Sequence, residues 1–340
     1  MFLGQVAVII AAKNAAPWIR DAVASALREP EVGEVWVVDD GSTDGTSAAA
    51  ANADDHSGRL QTLSLPRNVG PSAARNLVLD RTRLPYVAIL DADDRFARGR
   101  LAALLDSGGD WDFVCDNITL VPEGEGESPW QASAGPHRWS RILTPAEFVE
   151  GNVSKGVFNR QELGFLKPLI RRAFLEEHAL RYDEDLFLGE DYVLYVRALM
   201  LGARFKIIDS TGYLALMRSG SLSSRHEGRD LEKIAAFDDI ARGETSDARL
   251  REALAAHRGH VVHKAKHREF LDVSKREGKM RAVAWLSREP DSVPYIVKTT
   301  IQLKLYHALQ RMKPRSEPDG QRFLLQDSFF SENVGPAASK

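Results

Sequence analysis

Three carboxylates stand within four residues at Asp91-Ala92-Asp93-Asp94. They follow an apolar run at residues 86–90, bounded on its other side by Pro85, which is the pattern of a short buried strand. Acids this close repel one another unless water or a cation screens them. Open α/β sheets bind ligands beyond the carboxyl ends of their strands. The triplet therefore reads either as a solvated acidic turn or as oxygen donors for a hard divalent cation that also holds a diphosphate.

The elements that must position it begin at Val6-Ala7-Val8-Ile9-Ile10, a buried strand by its β-branched content. It ends at Ala11-Ala12-Lys13-Asn14, where Asn14 is placed to cap a helix that carries Pro17 in its first turn and Ile19, Val23, Ala26 and Leu27 on one face. A second strand, 35–38, ends in Asp39-Asp40-Gly41-Ser42-Thr43-Asp44, with Thr43 or Asp44 able to cap an Ala-rich helix. A third strand at 60–65, the loop Arg67-Asn68-Val69-Gly70-Pro71 and a helix at 72–80 lead to the strand that ends at Asp91. This alternation predicts a parallel, doubly wound α/β sheet, Rossmann-like and flanked by helices. Its carboxyl edge would bring Asp40, Arg75 and Asp91 toward one site. No G-x-G-x-x-G follows the first strand, which argues against a nicotinamide or flavin enzyme.

Further on, the pattern predicts a helix at 98–105, a strand at 112–116 and a long Pro-, Gly-, Ser- and Glu-rich loop at 121–138. A capping-box helix starts at Thr144-Pro145-Ala146-Glu147. A turn or short strand at 167–170, helices at 171–178 and 192–201, strands at 205–208 and 213–218, and a loop at 219–223 follow. Beyond about residue 230 the chain reads as helical, broken at Pro290 and Pro294, with a frayed end.

The chain has 340 residues and a formal charge of −3, so its average suggests no nucleic-acid partner. Residues 249–315 nevertheless hold 16 Lys and Arg against 6 Asp and Glu, which suggests an anionic surface or partner for that region. His257, His260, His263 and His267 share one helical side without an interleaved Cys or carboxylate, and read as a basic helix face rather than a metal site. With Tyr295-Ile296-Val297, Leu303, Leu305 and Leu309 they suit amphipathic helices on an anionic membrane surface, or equally a partner or structural role. A single cysteine, Cys115, rules out an intramolecular disulfide and fits a reducing compartment. The first apolar run is too short for a signal core, and no run nears the roughly 18 residues a bilayer span needs. A cytoplasmic protein, at most peripheral on the inner face of the membrane, is expected.

Several of these stretches together resemble family 2 of the inverting glycosyltransferases. They are Val8-Ile9-Ile10 with Asn14; residues 37–46 around Asp39-Asp40; Arg67-Asn68-Val69-Gly70 with Ala73-Ala74-Arg75-Asn76; Asp91-Ala92-Asp93-Asp94; Gly189-Glu190-Asp191-Tyr192; and Gly220-Ser221-Leu222-Ser223. The resemblance spans residues 4–225 and implies a GT-A fold. It divides the chain into a glycosyltransferase domain at 1–228, a basic helical region at 229–313 and a flexible tail at 314–340. Within the domain, 1–116 would bind the nucleotide and 117–228 the acceptor.

The resemblance also implies roles. Asp40, or Asp39 in its place, would accept the uracil imide N–H, a donor between two carbonyls that suits an acceptor-only group. Ala11, Asn14, Arg75, Asp91 and Ala92 would complete the nucleotide site, with Asp91 near the ribose. Asp93 and Asp94 would hold Mn2+ or Mg2+ on the diphosphate. Asp191 would be the catalytic base, on the face opposite the leaving group. Glu190 and Arg218 would face the acceptor or the diphosphate. The region from Lys167 through Asp191 is most similar to bacterial exopolysaccharide transferases of the succinoglycan type. The implied activity is transfer of a hexose, glucose foremost, from a UDP-sugar to a hydroxyl of a lipid-linked or polysaccharide acceptor. The competing reading is a non-catalytic nucleotide-sugar-binding or assembly protein of the same fold. A nucleotidyltransferase would want a Gly-rich basic first loop, which Ala11-Ala12-Lys13-Asn14 does not supply.

Overall fold

Strand β1 (Val6–Ala12) is the axis of the sheet, and its first five residues have no solvent exposure. A parallel strand covered on both faces needs such a run. Strands β2 (Val32–Asp39) and β4 (Tyr86–Ile89) pair with it in parallel on either side, and β3 (Leu60–Ser64) pairs in parallel outside β2. Helices α1 (Ile19–Leu27), α2 (Thr46–Ala51) and α3 (Pro71–Leu79) make the crossovers. The structure is a computed structural model that describes residues 3–135, 137–154, 162–218, 228–312, 322–326 and 329–330.

Beyond β4 the sheet is mixed. Its further strands are β5 (Arg95–Phe96), β6 (Phe113–Pro122), β7 (Ser140–Leu143), β8 (Leu169–Arg171), β9 (Phe205–Met217) and β10 (Arg322–Phe323). The path runs β3-β2-β1-β4-β8-β6-β9-β5, with β10 on β6 and β7 on β9. Short β8 is antiparallel to both β4 and β6, whereas β6 and β9 are parallel. Helices α4 (Arg100–Leu105), α6 (Arg172–Glu177) and α7 (Glu190–Met200) complete this part.

The structure departs from the expected elements in several places. The two strands expected at 205–208 and 213–218 are one, β9, because the polar residues between them form an irregularity opposite Asn117 instead of a turn. Gly212 lies in it, where a Cβ would stand 2.6 Å from Arg100 Cγ and 2.7 Å from Asp116 Oδ2. Strand β6 continues to Pro122, and Trp130 of the expected loop packs against Ala97, Val121 and Leu214. Asn14 caps no helix: α1 starts after Trp18 without a side-chain cap, and Asn14 has a φ of 49°. Residues 322–325, expected in the flexible tail, are instead held on β6, with Asn117 exchanging hydrogen bonds of 2.8 and 2.9 Å with the Leu325 backbone.

Two units result. The first draws on Met1–Thr144, Phe165–Ser219 and Gln321–Lys340, the second on Pro145–Gly164 and Gly220–Gly320. In the second, α5 (Pro145–Glu150) joins α8 (Gly228–Glu244), α9 (Ala248–Glu277), α10 (Lys279–Leu286) and α11 (Val293–Met312). The histidines are not a basic outer face. His257 and His267 are buried, His257 lies 2.7 Å from Asp238, and burial pulls His260 down to about 4. Among the described residues no helix is long and apolar enough to cross a membrane. The expected Gly220–Ser223 loop lies outside the described residues, as does most of the expected tail.

Candidate active site

The carboxyl ends of β1 and β2 are knitted together by side chains. Asn14 accepts from the Thr43 backbone N–H at 2.9 Å and donates its own N–H to Ser42 Oγ at 2.9 Å. Asp44 accepts from Ala16 N–H at 3.0 Å, and Lys13 bonds the Gly41 carbonyl. Asp40 accepts from the N–H groups of Val69 and Gly70 at 2.6 and 2.9 Å, which ties the 67–70 loop to β2. Gly41, at a φ of 66°, is needed there, since a Cβ would stand 2.8 Å from the Arg67 carbonyl carbon. Asp39 accepts from Ser42 N–H at 2.9 Å and from the Ser47 hydroxyl. Burial pushes the Asp39 carboxyl up, but the bonds from Ser42 and Ser47 outweigh it and hold the group below its ordinary range. Ala11 is half-buried beside Val38 in the β1–β2 ladder, and Ala92 is buried.

A second cluster joins residues far apart in sequence. Arg75, on α3, is only 4% exposed. It reaches Glu190 at 2.7 Å, Asp91 at 3.3 Å and Asp191 at 3.4 Å, with its guanidinium 5.1 Å from the Tyr182 ring centre. Lys167, just before β8, lies 2.8 Å from Asp191 and 3.0 Å from Asp91. Glu190 and Asp191 open α7 behind its N-cap residue Gly189, which is in the left-handed region. Burial raises Asp91, but Lys167 and Arg75 overcome it and keep the carboxyl low. For Glu190 burial wins over Arg75, and its carboxyl lies above the ordinary range. Lys167 is pulled down by burial and pushed up further by Asp191 and Asp91, so it stays charged.

Asp93 and Asp94 differ sharply. Asp93 is partly exposed and pairs with Arg218 at 2.7 Å; Arg218 in turn stacks over Trp18 at 4.3 Å. Asp94 is buried and accepts from Leu216 N–H at 2.8 Å, bracing the end of β9. Burial, then the charges of Asp91 and Asp93, push its carboxyl well above the usual range. Tyr213 accepts from Asp91 N–H at 3.0 Å.

Arg75, Asp91, Glu190 and Asp191 thus form one network, Asp93 and Arg218 a pair, and Asn14, Asp39 and Asp40 hold the neighbouring loops. The sequence assigns no site role to Lys167, Tyr182 or Tyr213, although Lys167 and Tyr182 lie in the region that resembles the exopolysaccharide transferases. The available signal for Lys167 was a lone lysine in the apolar stretch Leu166-Lys167-Pro168-Leu169-Ile170. Among the described residues no three side chains form a ready-made metal cage. The donor set still fits Mg2+ or Mn2+, hard ions that are held by one or two carboxylates while phosphate oxygens and water complete the shell. Asp93 offers a partly exposed carboxylate of that kind.

Comparison with known proteins follows the same lines. The pattern of glycosyl transferase family 2 matches residues 7–172. Succinoglycan biosynthesis protein ExoU of Rhizobium meliloti (strain 1021) is 42% identical over 315 residues, covering 92% of this chain and 91% of that protein. ExoO of the same organism is 37% identical, covering 64% of this chain and 62% of that protein. Among solved structures, S. aureus TarS 1–349 in complex with UDP-GlcNAc aligns with a TM-score of 0.56 at 21% identity, over 80% of this chain and 74% of that one. Mannosyltransferase PcManGT from Pyrobaculum calidifontis, in complex with GDP-Man and Mn2+, aligns at 0.54 and 20% identity, over 90% and 86%. These structures share the fold, GT-A, and the sequence likeness to ExoU extends over nearly the whole chain. The protein belongs to glycosyl transferase family 2.

Proposed function

We propose that this chain is an inverting hexosyltransferase that moves a hexose, glucose foremost, from a UDP-sugar to a hydroxyl of a saccharide acceptor in bacterial exopolysaccharide assembly. The observation that carries the reading is the network of Arg75 and Lys167, which joins Asp91 at the sheet edge to Asp191 at the start of α7. Donor-side and acceptor-side carboxylates meet there at one point. Asp191 takes the acceptor hydroxyl's proton as its oxygen bonds the anomeric carbon, and the bond from that carbon to the UDP oxygen breaks on the opposite face. Asp40, or Asp39, accepts from the uracil imide; Asn14, Ala11, Arg75, Asp91 and Ala92 shape the rest of the nucleotide site. Glu190 and Arg218 face the acceptor and the diphosphate. Asp93 would hold Mn2+ or Mg2+ with Asp94 in support, and the bound ion supplies positive charge to the leaving diphosphate. Similarity to ExoU over 92% of this chain supports the pathway, and the UDP-GlcNAc complex of TarS supports a UDP-sugar donor.

The acceptor is lipid-linked and the enzyme works at the cytoplasmic membrane surface. Support comes from α11, where Val297, Ile301 and Leu305 are exposed at four-residue spacing beside exposed Lys298 and Lys304. Flotation with anionic vesicles should be lost in Ile301→Glu/Leu305→Glu; equal flotation of the double variant contradicts the surface contact. The activity itself is tested with a panel of nucleotide sugars with and without Mn2+. UDP-hexoses should release UDP only with the metal. Failure of every UDP-sugar to bind, or turnover indifferent to a chelator, contradicts the reading.

A further inference from the structure

The other buried lysine described in this unit, Lys206, donates to the carbonyls of Ser107 and Gly108. Lys167 is different. Its ammonium is shared by two carboxylates that belong to different elements, Asp91 after β4 and Asp191 on α7, at 3.0 and 2.8 Å. The side chain is 8% exposed. Its own backbone is fixed, because the buried Arg100 guanidinium donates to the Lys167 carbonyl at 2.5 Å. On the other side Arg75 bonds the remaining oxygens of the same two carboxylates, Asp91 Oδ1 at 3.3 Å and Asp191 Oδ1 at 3.4 Å. Each carboxylate therefore has one oxygen on Arg75 and the other on Lys167.

We infer that Lys167 is a positioning residue for the transfer: it fixes the Asp191 carboxylate, in plane and in distance, against the donor-side Asp91. Arg75 alone leaves each carboxylate free to turn about a single contact; two cations on opposite oxygens remove that rotation. The groups facing Asp191 are Arg75 on α3, Lys167 before β8, Glu190 and Tyr195 on α7 itself, and Asp91 and Tyr182 across the same cations. Lys167 bonds the Asp191 and Asp91 carboxylates, and it acts on the transfer through them. The inference rests on Asp191 as the base.

The test compares Lys167→Gln and Lys167→Arg with the wild type in steady-state transfer from a UDP-hexose, with UDP affinity measured alongside. Lys167→Gln should lose roughly 10- to 100-fold in kcat, the scale expected when a reacting group drifts by about 1 Å. UDP affinity should change less than about threefold, and the acid limb of the kcat–pH profile should move to higher pH, because removing a neighbouring positive charge favours protonation of a carboxylate. Lys167→Arg should keep the wild-type acid limb and recover part of kcat. Wild-type kcat and an unmoved acid limb in Lys167→Gln would overturn the inference. So would a rise in donor KM with kcat intact, which would make Lys167 a donor-binding residue only. Should Lys167→Gln not fold, an Arg variant with wild-type kcat and pH profile supports it, and an Arg variant as inactive as Asp191→Asn overturns it. Transfer retained in Asp191→Asn removes the base itself, a failure distinct from any of these.

Discussion

Asp93 and Asp94 are adjacent in sequence and sit in opposite settings. Asp93 keeps contact with solvent and pairs with one arginine; Asp94 is buried and braces the Leu216 amide. A partly exposed ion pair contributes roughly 0–1 kcal/mol. Asp93→Asn should therefore change stability by less than about 1 kcal/mol, yet weaken Mn2+-supported UDP binding at least about tenfold; calorimetric titration with and without metal checks both halves. Unchanged metal-supported binding would remove Asp93 from the ion's site. At this scale the carboxylates were legible, because acids at strand ends stand out against apolar runs. Their division of labour was not. Burial decides it, and neighbours brought by Leu216 and Arg218, more than 120 residues away, set that burial. Lys167 was illegible for a related reason: a single lysine acquires meaning only from the two carboxylates it meets.

Among elements, the β1–β4 half follows from sequence pattern because β1, β4 and most of β2 are apolar runs separated by helices of helical period, while β3 at the edge is more polar and exposed. The other half depends on long-range pairing. β8 has three residues and β5 two, too few to show a period. The joint of that half is the pair of Arg100, 0% exposed, and Asp116, 1% exposed, at 2.9 Å between α4 and β6, with Gly212 of β9 donating its N–H to Asp116 at 2.6 Å. Arg100→Met strands a buried carboxylate, which typically costs about 3–5 kcal/mol. Denaturant unfolding should show that loss, with part recovered in Arg100→Met/Asp116→Leu. A loss below about 1 kcal/mol would mean the pair is not what joins these elements.

Over the whole molecule, every candidate site residue lies in the first unit, while the basic, helical second unit carries the exposed apolar positions of α11. The charge block announced the second unit. Neither the membership of residues 145–164 in it nor the return of residues 322–325 to β6 is visible locally, since both depend on partners far along the chain. On the proposed function, Asp191 removes the acceptor proton while the nucleotide is held elsewhere in the site. Asp191→Asn, assayed for transfer and for UDP binding on the same preparation, tests it most directly. UDP affinity should stay within about threefold of wild type while kcat falls by roughly 10²–10⁴, the usual worth of a general base; wild-type transfer in the variant would contradict it.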